Sequence, residues 1–590
     1  MRSRTIVRAA VMLAALVVLA AMLPGTSLAA PKGKSGRYMV LARNSADYNA
    51  LRAKALSAGA KVVRDMPQVG TLVVNAPDSV RSSLSADPRA MGVVTDHVQQ
   101  IAPVDERHVS HLSAPGLRSA TRLRAPASAR VRAAGITPDP ALGIPGLQWD
   151  FGRIGLPRGW RTSAGSPAVT VAVADTGLDF THSELASKVT QVVDLTQTED
   201  PPICKTLFGV SDEDLAAETG GPVTTDWNGH GSWIGGNIAA ALDGQGINGI
   251  APRVNLVSLK ISQWCGSAFD SELIGAFILA ADMGVDVVNI SFGGYLDRSD
   301  LSQDLTYRTY VAAVEYARNH GTVIAAAAGN EHTRVGAGGR VLTHGTLTTP
   351  GDEVFDAFGQ FEVPGGIPGV VDVASTGNLV NAASASCAPG TIGTPTATNA
   401  TCKPASDAHQ SFGAGKEDQL SYFSNYGPRI DIAAPGGARK FNLPVYDRGG
   451  TPGFPYTNAD GTNVWEDFST TSNWAVEIPC FTITGGGFPA NQCYTAIQGT
   501  SMATPHVAAG LALIASAHPN LRGNVDRLVA RLKGSAVRPG RNTTPPLSQT
   551  DTSPGDLSGI ACASGFCHLA GSPIPNVDAY GAGLMNVARP

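Results

Sequence analysis

From residue 168 onward the chain alternates short, almost continuously apolar segments with longer amphipathic ones, and this alternation restricts the fold more than any other feature. The apolar segments are residues 169–174, 254–260, 285–292, 322–328, 370–374 and 430–433, rich in Val, Ile, Leu and Ala. Residues 230–241, 271–283, 304–319, 501–515 and 525–533 read as helices. A strand apolar on both faces must be covered on both, and helices between strands are the crossovers that parallel pairing requires. The expected fold is therefore α/β, a doubly wound, mostly parallel sheet with helices on both faces. In such a sheet a site forms beyond the carboxyl ends of the strands.

Four residue types suited to acyl transfer fall at those ends. Asp175 closes the first strand in Ala174-Asp-Thr-Gly177, and His230 opens a helix in Asn228-Gly-His-Gly231. Asn330 ends Ala325-Ala-Ala-Ala-Gly-Asn330, and Ser501 stands where the loop Gln498-Gly-Thr becomes a helix. A serine hydroxyl is a weak nucleophile unless a base takes its proton, a third group orients the base, and donors await the oxyanion. Taken singly, each motif also reads as ordinary structure: an Asp-Thr-Gly turn, a glycine-flanked structural histidine, a strand end, a Ser/Thr helix cap. Their order, Asp then His then Ser, is the order of subtilisin.

At Asp175-Thr-Gly-Leu-Asp179, Asn228-Gly-His-Gly231, Ala328-Gly-Asn330 and Gly499-Thr-Ser-Met-Ala-Thr-Pro505 the chain resembles the subtilisin-like serine proteases. The resemblance runs from about residue 146 to Gly581-Ala-Gly-Leu-Met-Asn-Val587, which is similar to the family's closing segment. It implies Ser501 as nucleophile, His230 as base, Asp175 as its orienting carboxylate, and Asn330 with the Ser501 amide as oxyanion hole. It further implies that Ser291-Phe292-Gly293 pairs with extended substrate, with Gly329 on the facing wall. A pocket between these walls is expected to be roomy and apolar and the specificity apolar or broad, with Glu331 beside it as an acceptor for a basic residue. Glu184 and Asp243 fall where the family holds a structural calcium ion; the competing reading is two surface acids near turns. Catalysis itself needs no cofactor. Residues 36–104, two strand patterns around a helical one, resemble the inhibitory propeptide, an intramolecular partner. The chain departs from the family at Ser232-Trp233, where a Thr and a His are usual, which implies a changed cleft rim.

Of the 590 residues 16% are charged and the formal net charge is −4, which argues against nucleic acid or an anionic membrane as partner. Three arginines within residues 1–8, the apolar run 9–23 and Ser27-Leu-Ala29 read as a signal peptide over residues 1–30, too short in its apolar part to anchor in a bilayer. A small α+β domain over 31–104 is expected next, then an Ala/Pro/Arg-rich linker over 105–145 carrying Arg118, Arg122, Arg124, Arg130 and Arg132. The peptidase domain is expected over 146–590, with inserts near 334–418 and 436–494. The eight cysteines fit an oxidising compartment, and their spacing favours Cys387/Cys402, Cys480/Cys493 and Cys562/Cys567, leaving Cys204 for Cys265; zinc is disfavoured because no C-x-x-C occurs. Asn-x-Thr sequons stand at Asn399 and Asn542.

The function expected is that of a secreted, extracellular serine endopeptidase acting on proteins or peptides, a monomer without membrane anchor, activated by a cut between about Val104 and Ile144. The alternatives are a catalytically silent or highly specific processing or binding protein on the same scaffold, and an esterase. An esterase of the α/β-hydrolase type is opposed by Ala503 in place of the second glycine of Gly-x-Ser-x-Gly.

Overall fold

All six apolar segments enter one sheet. The computed structural model describes residues 35–100, 136–143, 147–344, 346–348, 354–377, 420–421, 423–437, 467–478, 480–482, 487–538, 561–563, 566–568 and 574–590. The signal peptide, most of the linker and of the range expected for the activation cut, the Cys387/Cys402 pair and both sequons lie outside them.

The amino-terminal module runs β1 (Gly36–Ala42), α1 (Ser45–Ser57), β2 (Lys61–Met66), β3 (Thr71–Ala76), α2 (Asp78–Ser85), β4 (Ala90–Thr95) and β5 (Val98–Gln100). Its antiparallel sheet has the order β2-β3-β1-β4. Successive side chains of a strand point to opposite faces, and here both faces are buried. Tyr38, Val40, Leu72 and Val74 pack with Tyr48, Leu51 and Leu84 of the module's own helices. Met39, Leu41 and Val73 instead join a core built by the larger domain.

From residue 170 the elements are β6 (Thr170–Asp175), β7 (Val189–Asp194), α3 (His230–Ala239), β8 (Asn255–Lys260), β9 (Ser267–Phe269), α4 (Asp270–Asp282), β10 (Val287–Ile290), β11 (Gly294–Leu296), α5 (Leu301–Asn319), β12 (Val323–Ala327), β13 (Thr346–Thr348), β14 (Val354–Asp356), β15 (Phe361–Val363), β16 (Val371–Thr376), β17 (Ile432–Pro435), β18 (Asp467–Thr470), β19 (Phe481–Thr482), β20 (Cys493–Ile497), α6 (Thr500–Ala517), α7 (Val525–Ser535), β21 (Ala561–Ala563) and β22 (Phe566–His568). The main sheet is wholly parallel, in the order β17-β16-β12-β10-β6-β8-β7. Val171, Val173, Val287 and Val323 face α3, α6 and α7, while Ala172, Ala174, Val288 and Ile324 face α4 and α5. The doubly wound α/β architecture expected from the alternation is present. The chain order reverses at β6, so a crevice opens at its carboxyl end, between β10 and β8.

Other parts were not foreshadowed by periodicity. β7 is an edge strand of the sheet, and the second insert forms a three-stranded antiparallel sheet, β18-β20-β19. Residues 136–143, assigned from composition to the linker, pack on the large domain: Ile136 and Ala141 are buried in its cores, and Asp139 accepts the backbone amides of Asp243 and Gly244. Disulfides join Cys204 to Cys265 and Cys480 to Cys493, as the spacing suggested. In the β21-β22 pair Cys562 stands opposite Cys567.

Candidate active site

Asp175 ends β6 fully buried, and its Oδ1 lies 2.8 Å from His230 Nδ1. The same oxygen accepts the Thr176 amide at 2.8 Å, so the carboxylate is fixed before the imidazole meets it. His230 begins α3, and the turn delivering it is held by a carboxylate that no sequence motif marks. Asp226 accepts the amides of Asn228, Gly229 and Ser232 at 3.1, 2.8 and 2.7 Å and the Thr176 hydroxyl at 2.9 Å. It shares the capping of the first turn of α3 with Asn228 Oδ1, which accepts the His230 amide at 3.1 Å, and Thr176 Oγ1, which accepts the Gly231 amide at 3.0 Å. Close approach of this turn to β6 requires Gly231, because a Cβ there would strike the Gly177 carbonyl oxygen. Behind both, fully buried Lys260 donates to Thr176 O at 2.5 Å and pairs with Asp212 at 2.8 Å.

Ser501 lies in the first turn of α6, where exposed amides and the helix dipole favour negative charge. Pro505 has no N–H, so it cannot make the helical bond to the Ser501 carbonyl four residues back. That carbonyl accepts the Ser291 hydroxyl instead, at 3.2 Å, and Asn289 Nδ2 donates to Ser291 Oγ at 3.2 Å. Asn330 Oδ1 accepts both the amide and the hydroxyl of Thr500, at 2.9 and 2.8 Å, which turns the donor end of the amide away from Thr500. Helices α3 and α6 pack together. The ends of β6, β10 and β12 thus bring Asp175, His230, Ser291, Asn330 and Ser501 to one side of the sheet.

Phe292 is buried in the core, so only the backbone of the Ser291-Phe292-Gly293 segment can serve a substrate. Gly293 touches Val363 and Pro364: a Cβ there would lie 2.5 Å from Val363 O. A Cβ at Gly329, on the facing wall, would lie 2.6 Å from Glu331 Oε2. Strand β5 of the amino-terminal module pairs antiparallel with β9, Gln100 opposite Ser267, and a Cβ at Gly294 would meet Gln99 Oε1. The module's last described residues therefore run between the segment at 267–269 and the one that follows Ser291-Phe292-Gly293.

Trp233 does not reshape the cleft rim. It is fully buried in the core and donates to Thr495 O at 3.3 Å, while Ser232 accepts the Asp179 amide at 2.8 Å. The second insert backs the histidine turn: Val476 N and Ile478 N donate to Trp227 O and Asn228 O, each at 2.9 Å, and Thr471 donates to Gly229 O at 3.1 Å. Glu184 is buried and accepts Ile247 N and Tyr494 OH on Oε1, while Oε2 has no hydrogen-bond partner among the described residues; burial pushes its carboxyl up to about 8. Asp243 is exposed and its Oδ1 accepts the Gln245 amide.

A model of the subtilase family matches residues 166–544. The chain belongs to the subtilase family. A thermophilic serine proteinase of Bacillus sp. (strain AK1) is 26% identical over 382 residues, 64% of this chain and 60% of that protein. Thermitase of Thermoactinomyces vulgaris is 24% identical over 389 residues, 65% of this chain and 89% of that protein. This subtilase thus spans 60% of the first relative's length and most of the second's. Its fold is that of the epidermin leader peptide processing serine protease of Staphylococcus aureus, at TM-score 0.55 and 18% identity, over 94% of this chain and 98% of that one.

Proposed function

We propose that this subtilase is a serine endopeptidase that hydrolyses peptide bonds through a covalent acyl-enzyme. The observation that carries the reading is the bond between His230 Nδ1 and Asp175 on the face of the sheet where Ser501 heads α6. Asp175 holds the imidazole through Nδ1, which leaves Nε2 as the atom that takes the Ser501 proton and later returns it to the leaving amine. The oxyanion is met by Asn330 Nδ2 and the Ser501 amide, where removing one donor typically costs about 10²–10³ in rate. The triad supplies nucleophile, base and oxyanion donor from side chains and backbone, so this reaction uses no cofactor.

The same proposal covers the precursor. The signal-like residues 1–30 support export to the extracellular space. Residues 36–100 act as an intramolecular inhibitor, a role supported by β5 pairing with β9 while Gln99 comes against Gly294, next to the Ser291-Phe292-Gly293 segment. Among the described residues no helix is long and apolar enough to cross a membrane. A structural calcium ion at Glu184 belongs to the same proposal, supported by the buried Oε2, which has no hydrogen-bond partner among the described residues. The charges of Asp243 and Asp139 both act on Glu184, and Asp243 donates its amide to Asp139 and accepts the Gln245 amide with its side chain. Calcium there would displace the proton that burial keeps on Glu184 and secure the 243–248 turn.

The test is hydrolysis of casein by purified protein, wild type and Ser501→Ala, with labelling by a serine-directed fluorophosphonate. Cleavage and labelling should both be lost in Ser501→Ala. Activity that survives the substitution would refute the assignment.

A further inference from the structure

The residues beside Ser501 read from sequence as an apolar pocket with Glu331 at its side, and a second carboxylate, Glu362, stands at the foot of one wall. β11 follows Gly293 and pairs antiparallel with β15, so Tyr295 lies opposite Glu362. The Tyr295 hydroxyl donates to Glu331 Oε2 at 2.7 Å, and Asn425 Nδ2 donates to Ala328 O at 2.6 Å and to the Tyr295 oxygen at 2.9 Å. One wall, 291–295, is thereby tied to the other, 327–331. Beneath them sits Gly365, where a Cβ would lie 2.5 Å from Glu362 Oε1, 2.9 Å from Asp372 Oδ1 and 3.0 Å from Ala327 O. The Glu362 carboxylate therefore reaches the foot of the wall that Ala327-Ala328-Gly329 forms.

Glu362 is 4% exposed, and neither of its carboxylate oxygens has a hydrogen-bond donor among the described residues. Both oxygens of Asp372, behind it, are in the same condition. The neighbouring cation, Arg429, does not serve them: it donates to Gly366 O, Ile367 O, Val370 O and Asp431. Burial holds the Glu362 carboxyl well above the usual range. A buried carboxylate without donors is costly, and a guanidinium or ammonium arriving from outside would relieve that cost with charge-assisted hydrogen bonds.

We propose that Glu362, with Glu331 beside it, makes this pocket select an arginine or lysine side chain at the residue preceding the scissile bond. This rests on the endopeptidase reading and names its substrate class. The chain itself contains such sites, since Arg118, Arg122, Arg124, Arg130 and Arg132 lie between the inhibitory module and the peptidase domain.

The test is a panel of peptide substrates identical except for Arg, Lys, Leu or Phe before the scissile bond, cleaved by the processed wild-type protein. The expected kcat/KM for Arg and Lys is about 100-fold above that for Leu and Phe. Glu362→Gln should shrink the Arg-to-Phe ratio by tens of fold, mainly through KM, and Glu362→Asp should recover part of it. Should Glu362→Gln not fold, the wild-type panel decides, with Glu331→Gln as second variant expected to lower the same ratio. Leu or Phe peptides cleaved as well as the basic ones, or an unchanged ratio in folded Glu362→Gln, would overturn the inference while the endopeptidase reading stands. Labelling of Ser501 without cleavage of the Arg and Lys peptides would also overturn it. Neither labelling nor cleavage would refute the endopeptidase reading itself and the inference with it.

Discussion

Pro505 and Ser291 form one device although 214 residues separate them. The proline withholds a helical donor from the Ser501 carbonyl, and the serine supplies one from the end of β10. Ser291→Ala leaves that carbonyl unserved and loosens the first turn of α6. We expect kcat to fall several-fold and stability by about 1 kcal/mol, measured by steady-state kinetics and urea unfolding. An unchanged kcat would mean that the bond does not position the nucleophile. Asp175, His230, Asn330 and Ser501 were legible in the sequence because each sits in a short motif at a strand end or helix start. Asp226, Lys260 and Glu362 were not. Asp226 acts through backbone amides, which leave no trace in residue identity. Lys260 and Glu362 take their meaning from partners brought near by pairing between strands distant in the chain.

Helix α4 shows how the amino-terminal module binds. Asp96 accepts the Ser271 amide and hydroxyl at 3.0 and 2.6 Å, so the module caps a helix of the other domain, and Arg37 bridges Asp96 to Glu272. Gln99 and Tyr310 both donate to Asp270 Oδ1. Burial raises Asp270 to about 7 and also raises Glu272. With folded values above unfolded ones, both carboxyls hold protons that the unfolded chain has already released. Their contribution is complete below about pH 4 and disappears as the pH rises through about 7. Thermal scans of the Ser501→Ala precursor from pH 4 to 8 should lose Tm across that window, and Asp270→Asn should flatten the slope; an identical slope would exclude Asp270 as the source. At this scale the sequence showed the parallel strands well, since burial on both faces makes their apolar runs continuous. The antiparallel β18-β20-β19 sheet escaped because its strands are short and mix Ser and Thr with apolar residues.

The whole molecule is held together by shared surfaces. The module's sheet has helices of its own on one face and α4 and α5 of the larger domain on the other, so residues 36–100 produced alone would expose Met39, Leu41 and Val73 to water. We expect the isolated module to be largely unfolded by circular dichroism and to fold on addition of the separated peptidase domain, inhibiting it. A module stably folded by itself would show that this face is not needed. The Cys204–Cys265 disulfide closes a separation of 61 residues just before β9, which the chain-entropy argument values at about 4 kcal/mol.

Arg429 bears on how this subtilase answers to its surroundings. Three backbone carbonyls of the 366–370 loop converge on its guanidinium, a cation supplied by the chain itself, which no chelator can extract. At Glu184 no such internal cation stands among the described residues. If calcium binds at Glu184 as proposed, chelation should separate stability from substrate choice: Tm should fall when calcium is withdrawn, Glu184→Gln should abolish that fall, and KM for a good substrate should stay constant while the protein remains folded. Durability would then follow the mineral content of the medium, whereas the choice of substrate would travel with the chain.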